Sequence, residues 1–266
     1  MNEFIQIEDR LKSFGKGELG VNLFQLLLDT LQGRRLEDQQ RFHEIINNLN
    51  IDLNLKSHHA GLLVGMAEVM AQNFEGRRVT SSPAVRLKDI FQTRKAHPDI
   101  LNFLALSFAR QAGIDAVAVD FFGAHLLHMS HDGEEALMDP GQMFTLLEPG
   151  DLRVLYQHLT GDDRHVDESD VTVLDDRVVF VHVLRLMKNR AVKDGDDDFA
   201  MMLLERMCMI LPEAQDMKLE RELAAGRSGQ ISRAILQIND LVAQSNDPNI
   251  RQQGQAALRR LRHMLN

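Results

Sequence analysis

GIDAVAVDFFGAHLLHMSHDGEEALMDP, residues 113–140, sets strand-like runs between turn residues and follows directly on a helical pattern. The runs Ala116 to Phe122 and His125 to Met129 suit a pleated, half-buried surface. His131-Asp132-Gly133 supplies a turn, and a last short strand ends at Asp139. Upstream, Leu101 to Ala112 repeats apolar residues at intervals of three and four, as a helix with one buried face does. The pattern predicts a helix followed by a meandering antiparallel sheet, hence an α+β fold. It also puts His125 on one strand and Asp139 on the next. A carboxylate beside an imidazole fixes its tautomer and stabilises its protonated form, as the orienting member of a nucleophile, base and orienter set does. The nucleophile is the missing partner.

Towards the N-terminus, Ala96-His97-Pro98-Asp99 breaks the chain and starts the long helix. Pro98 falls in its first turn, where a missing N–H does no harm, and Gly113 closes it at the C′ position. Thr80-Ser81-Ser82-Pro83 reads as a loop ahead of a short helix from Val85 to Thr93. Residues 1–75 read as mostly helical, with Val21 to Leu31, Gln39 to Leu49 and His59 to Phe74 as amphipathic segments. His58-His59 reads as a surface or capping pair opening the last of these.

Downstream, a helix is expected over Leu152 to Leu159, and TGDDRHVDESDVTVLDD, residues 160–176, reads as an acidic linker. From Arg177 the pattern is helical to the end. Aligning GDDDFAMMLLERMCMILP on GQISRAILQINDLVAQSNDP sets Ala200 over Ala234, a spacing close to that of tetratricopeptide helix pairs. The expected organisation is a helical segment with a small core over 1–159, the linker 160–176 and a helical-hairpin tail over 177–266.

A formal charge of −9 disfavours nucleic acid and anionic membrane as partners, since both reward clustered Lys and Arg. No apolar run approaches the length needed to span a bilayer, and MNEFIQIEDR has no leader pattern, so a cytoplasmic protein is expected. The single cysteine, Cys208, excludes an intramolecular disulfide and reads as a small buried residue of MMLLERMCMIL. His125, His128 and His131 have the spacing HxxHxxH. On a strand, residues three apart face opposite sides, so no metal and no cofactor is expected. A metal-dependent hydrolase would need these histidines, or a distant carboxylate, to converge.

Further residues carry a resemblance: Asn73-Phe74-Glu75-Gly76, the run from Val85 to Pro98, the helix ILNFLALSFARQAGI, Phe122-Gly123-Ala124-His125-Leu126-Leu127 and Met138-Asp139-Pro140. In order and spacing, residues from roughly 50 to 265 resemble the bacterial SirB-type transglutaminase-like proteins, in which a papain-like transglutaminase core precedes a tail related to tetratricopeptide repeats. The resemblance implies that His125 occupies the catalytic-histidine position and Asp139 the aspartate position. It implies a nucleophilic cysteine at the N-terminus of the core helix, which here falls within His97, Pro98 and Asp99. None is a cysteine. The family's proline-glycine before the histidine is Gly123-Ala124 here. These departures imply a pseudoenzyme that binds a protein or peptide partner, with homo-oligomerisation left open. The alternative is an acyl-transfer or peptide hydrolase that uses His125 and Asp139 without a cysteine.

Overall fold

A computed structural model describes residues 2–17, 22–31, 36–76 and 85–264, and it divides the chain into residues 20–183 and, discontinuously, 1–19 with 184–266. The expected loop Thr80 to Pro83 lies outside the described residues. Helix α1 (Asn2–Gly15) belongs to the discontinuous unit. The continuous unit opens with α2 (Leu23–Thr30), α3 (Leu36–Ala60) and α4 (Leu62–Asn73). The short strand β1 (Glu75–Gly76), α5 (Leu87–Thr93), strand β2 (Lys95–Ala96) and α6 (Pro98–Gln111) follow. Next come β3 (Asp115–Phe121), β4 (Ala124–His131), β5 (Glu134–Asp139), β6 (Thr145–Leu147), α7 (Pro149–Thr160), β7 (Thr172–Val173) and α8 (Asp176–Lys193).

The sheet has the order β6-β5-β4-β3-β7 and is antiparallel throughout. Its two tight turns are local consequences of sequence. Phe122-Gly123 and Asp132-Gly133 each take positive φ at both residues (51° and 84°; 48° and 83°), the backbone twist that a two-residue hairpin needs. Helix α6 packs on β3 and β4. On one face of the sheet, Val119, Phe121 and Leu126 are buried with Leu155 and Tyr156 of α7. Alternation turns Ala118 and His125 the other way. Phe103 of α6 meets Phe180 of α8 edge-on at 5.7 Å, and Phe24 of α2 lies 6.4 Å from the Phe103 ring.

Residues 160–176, expected to be a linker, fall within the continuous unit. Thr172 and Val173 pair with Asp120 and Val119, while Val166 and Val171 pack against the buried cluster under α7. The carboxylates that made the stretch look solvated are held locally, Asp163 by Arg153 at 2.7 Å and Asp170 by Arg164. The division falls within α8, between Val183 and Leu184. His58 and His59 end α3 rather than opening the next helix, because the break is at Gly61, whose φ is 82°.

The discontinuous unit combines α1 with the end of α8, α9 (Asp197–Ile210), α10 (Gln215–Arg227), α11 (Ile231–Gln244) and α12 (Pro248–His263). Leu219, Ala234, Ile238, Ala257, Leu258 and Leu261 form its apolar cluster. Helix α1 packs on α9 so closely that a Cβ built on Gly15 would stand 2.7 Å from the Ile210 carbonyl oxygen. Both aligned alanines, Ala200 and Ala234, are buried.

Candidate functional site

Helix α6 begins with a device written in three residues. His97 is its N-cap and accepts the backbone N–H of Asp99 on Nδ1 at 3.3 Å, and Pro98 follows at the first helical position. Asp99 is thereby fixed in the first turn, where the helix dipole favours a negative charge. At the other end Gly113, with φ 80°, lets Ile114 donate back to the Ala109 carbonyl at 3.0 Å. Arg110, in the last turn, donates to the Ala116 carbonyl at 2.9 Å and grips Asp176 with two bonds of 2.6 and 3.0 Å. This clasp sets the start of α8, and hence the position of His182 six residues on.

Around the Asp99 carboxylate three imidazoles gather. His182 donates from Nε2 to Oδ2 at 2.8 Å, and His125 stands with Nδ1 3.2 Å from Oδ1. His97 Nδ1 lies 3.3 Å from Oδ2. The rings of His125 and His182 are nearly perpendicular, with centroids 4.8 Å apart. Asp120, the cross-strand partner of His125, has a carboxylate oxygen 3.8 Å from the other ring nitrogen, Nε2. Asp99 and His125 side chains retain only 16% and 17% of their exposure, so these charges face each other with little water between them.

The electrostatics follow from that crowding. Burial pushes the Asp99 carboxyl upward, but the bonds from His125 and His182, with the neighbouring imidazole charges, outweigh it and hold Asp99 well below the usual carboxylate range. His125 is raised, first by its bond to Asp99 and further by the charges of Asp99 and Asp120, against the opposing effect of burial. His97 is lowered by burial and by the two other histidines, despite Asp99. The site thus keeps an ionised carboxylate at a helix N-terminus, facing an imidazole that favours its protonated form.

Of the residues expected from sequence, His125 and the segment His97, Pro98 and Asp99 come together. Asp139 faces elsewhere. The register that pairs Leu127 with Met138 sets Asp139 opposite Leu126, on the α7 side of the sheet, whereas His125 points to the α6 side. Asp139 is fully buried and accepts the Gly141 N–H at 2.7 Å, closing the Asp139-Pro140 turn. His128 and His131 do not converge with His125: their nearest carboxylates are Glu135 at 3.7 Å and Asp132 at 3.4 Å. Cys208 lies on α9 of the other unit, buried, with its thiol pushed up to about 11 by that burial. His182 is the member that sequence reasoning misses: it lies inside VVFVHVLRL, where the one signal is a histidine interrupting an apolar run.

Comparison with known proteins adds one finding. Residues 27–185 match the family model of the transglutaminase-like superfamily, a range that holds the core helix, the whole sheet and all four residues of the Asp99 cluster. Neither the curated proteins nor the solved structures compared with the chain give a match. Because the matched range exceeds half of the chain and coincides with the unit built around α6 and its sheet, the protein belongs to the transglutaminase-like superfamily.

Proposed function

We propose that this is a SirB-type transglutaminase-like pseudoenzyme, cytoplasmic and bacterial, whose former acyl-transfer site serves to bind a protein or peptide partner. The observation that carries the reading is a carboxylate, Asp99, in the first turn of the core helix against His125. By resemblance that is where the family has its thiol. A carboxylate that attacks an amide forms a mixed anhydride and is itself the better leaving group, so the step reverts instead of yielding an acyl-enzyme. The lone thiol, Cys208, belongs to the other unit and is buried. The helices from α9 to α12 are read as the tetratricopeptide-like tail, in which consecutive helices pack on one another and Ala200 and Ala234 are the small residues at close approaches.

The test uses the full chain. Partners are captured from the native cytoplasm, identified, purified and titrated against the intact protein, Asp99→Ala, and Leu236→Asp on an exposed position of α11. A purified partner that binds the intact chain stoichiometrically and loses affinity with either variant supports the reading. Turnover of a peptide amide by the intact chain, abolished by His125→Ala, overturns it and makes the protein an acyl-transfer or hydrolytic enzyme.

A further inference from the structure

We propose that Asp99, His125 and His182 form a binding site for a divalent first-row transition ion. Three elements distant in sequence, α6, β4 and α8, bring one donor atom each to a single point, all within 4.8 Å of one another. His182 approaches one Asp99 oxygen, Oδ2, at 2.8 Å and His125 the other, Oδ1, at 3.2 Å, close to the separation of about 3.0–3.4 Å between donors that each stand about 2.1 Å from an ion. The donor set of two imidazoles and a carboxylate suits zinc or ferrous iron and leaves coordination positions for water.

The surroundings match a metal ligand set better than an isolated ion pair. One carboxylate is balanced by one cation, yet two imidazoles converge on Asp99 and a third, His97, stands 3.3 Å away. With Nδ1 of His125 turned to the cluster, its Nε2 stands 3.8 Å from an Asp120 carboxylate oxygen, where a modest closure would make it the outer carboxylate of a metal-bound histidine. One helical turn beyond Asp99, Asn102 is fully buried, and neither polar atom of its side chain has a hydrogen-bond partner among the described residues. A buried amide of that kind calls for an ordered water, such as one shared with a coordination shell. Sequence spacing could not announce this site, because its second histidine lies on a helix far downstream.

The inference stands apart from partner binding, since the ion is titrated into the isolated chain. Full-length protein is freed of metal with a chelator and dialysed against Zn2+ or Co2+, with metal analysis and the visible spectrum of the cobalt form. One ion per chain is expected. Asp99→Asn and His182→Ala should each weaken binding about 100-fold, and Asp120→Asn about 10- to 100-fold, the range for an outer partner of a ligating histidine. His131→Ala should change nothing. His182→Gln, which keeps size and a hydrogen-bonding end, separates lost ligation from lost folding, and its circular dichroism should match the parent. Absence of stoichiometric binding overturns the proposal. So does binding that survives His182→Gln, or binding that His131→Ala reduces as much.

Discussion

Replacing Asp99 with cysteine would place a thiol at the N-terminus of α6, facing His125. Asp99 oxygens lie 3.2 Å from His125 and 2.8 Å from His182, and a cation at such range lowers the pKa of an acid by about 1–3 units. The helix terminus adds about half a unit at 0.3–1 kcal/mol, and partial burial takes some of this back. Net lowering of about 2 units moves the thiol from about 8.5 to about 6.5. At pH 6 the thiolate fraction then rises from about 0.3% to about 24%, roughly 75-fold. Lower basicity costs nucleophilicity by about 8-fold for a Brønsted slope near 0.45, leaving alkylation about tenfold faster than for an ordinary thiol. Iodoacetamide labelling followed by mass spectrometry measures this in the presence of a chelator. Cys208 contributes nothing to the signal, being buried with its thiol pushed up to about 11. The expected pH midpoint is about 6.5, and adding His125→Ala should return it towards 8.5. A midpoint at or above 8.5 in Asp99→Cys would refute the argument that α6 and His125 still form a thiolate-stabilising frame.

Two further outcomes follow from packing and pairing. A Cβ at Gly254 would stand 2.3 Å from Cγ2 of Val242, so Gly254→Ala should lower stability by up to about 2 kcal/mol, overpacking of up to about 3 kcal/mol being offset by a gain of roughly 1 kcal/mol in helix propensity. Urea denaturation checks it: Gly254→Ala with Val242→Ala should be more stable than Gly254→Ala alone, and a raised midpoint for the single variant would contradict the close approach. The Arg110 and Asp176 side chains are each about one-third exposed, which discounts their two charge-assisted bonds to a coupling of about 1 kcal/mol in a double-mutant cycle. A coupling near zero would show that the clasp does not hold α8.

Local chemistry made much of the core legible in the sequence. Asp132-Gly133 announced a hairpin, Pro98 and Gly113 bracketed a helix, and alternation through His125 to Met129 marked a strand, because each is decided within a few residues. What escaped depended on pairing across the chain. The edge strand Thr172–Val173 hides among carboxylates, since its partner Val119 supplies the context that makes it a strand. The partner of His125 was sought on the adjacent strand at Asp139, but the register alternates the two onto opposite faces. Its real neighbours come from a helix N-terminus and from α8, which no sequence period connects.

Gly15 fits against Ile210 because α1 packs on α9, within a unit assembled from both flanks of the core. On a ribosome adding about 5–20 residues per second, α1 emerges on the order of ten to forty seconds before α9 does. Throughout that interval the α9 surface on which α1 packs has not yet been made. The nascent chain therefore holds α1 apart from its α9 partner while the whole transglutaminase-like core is being made.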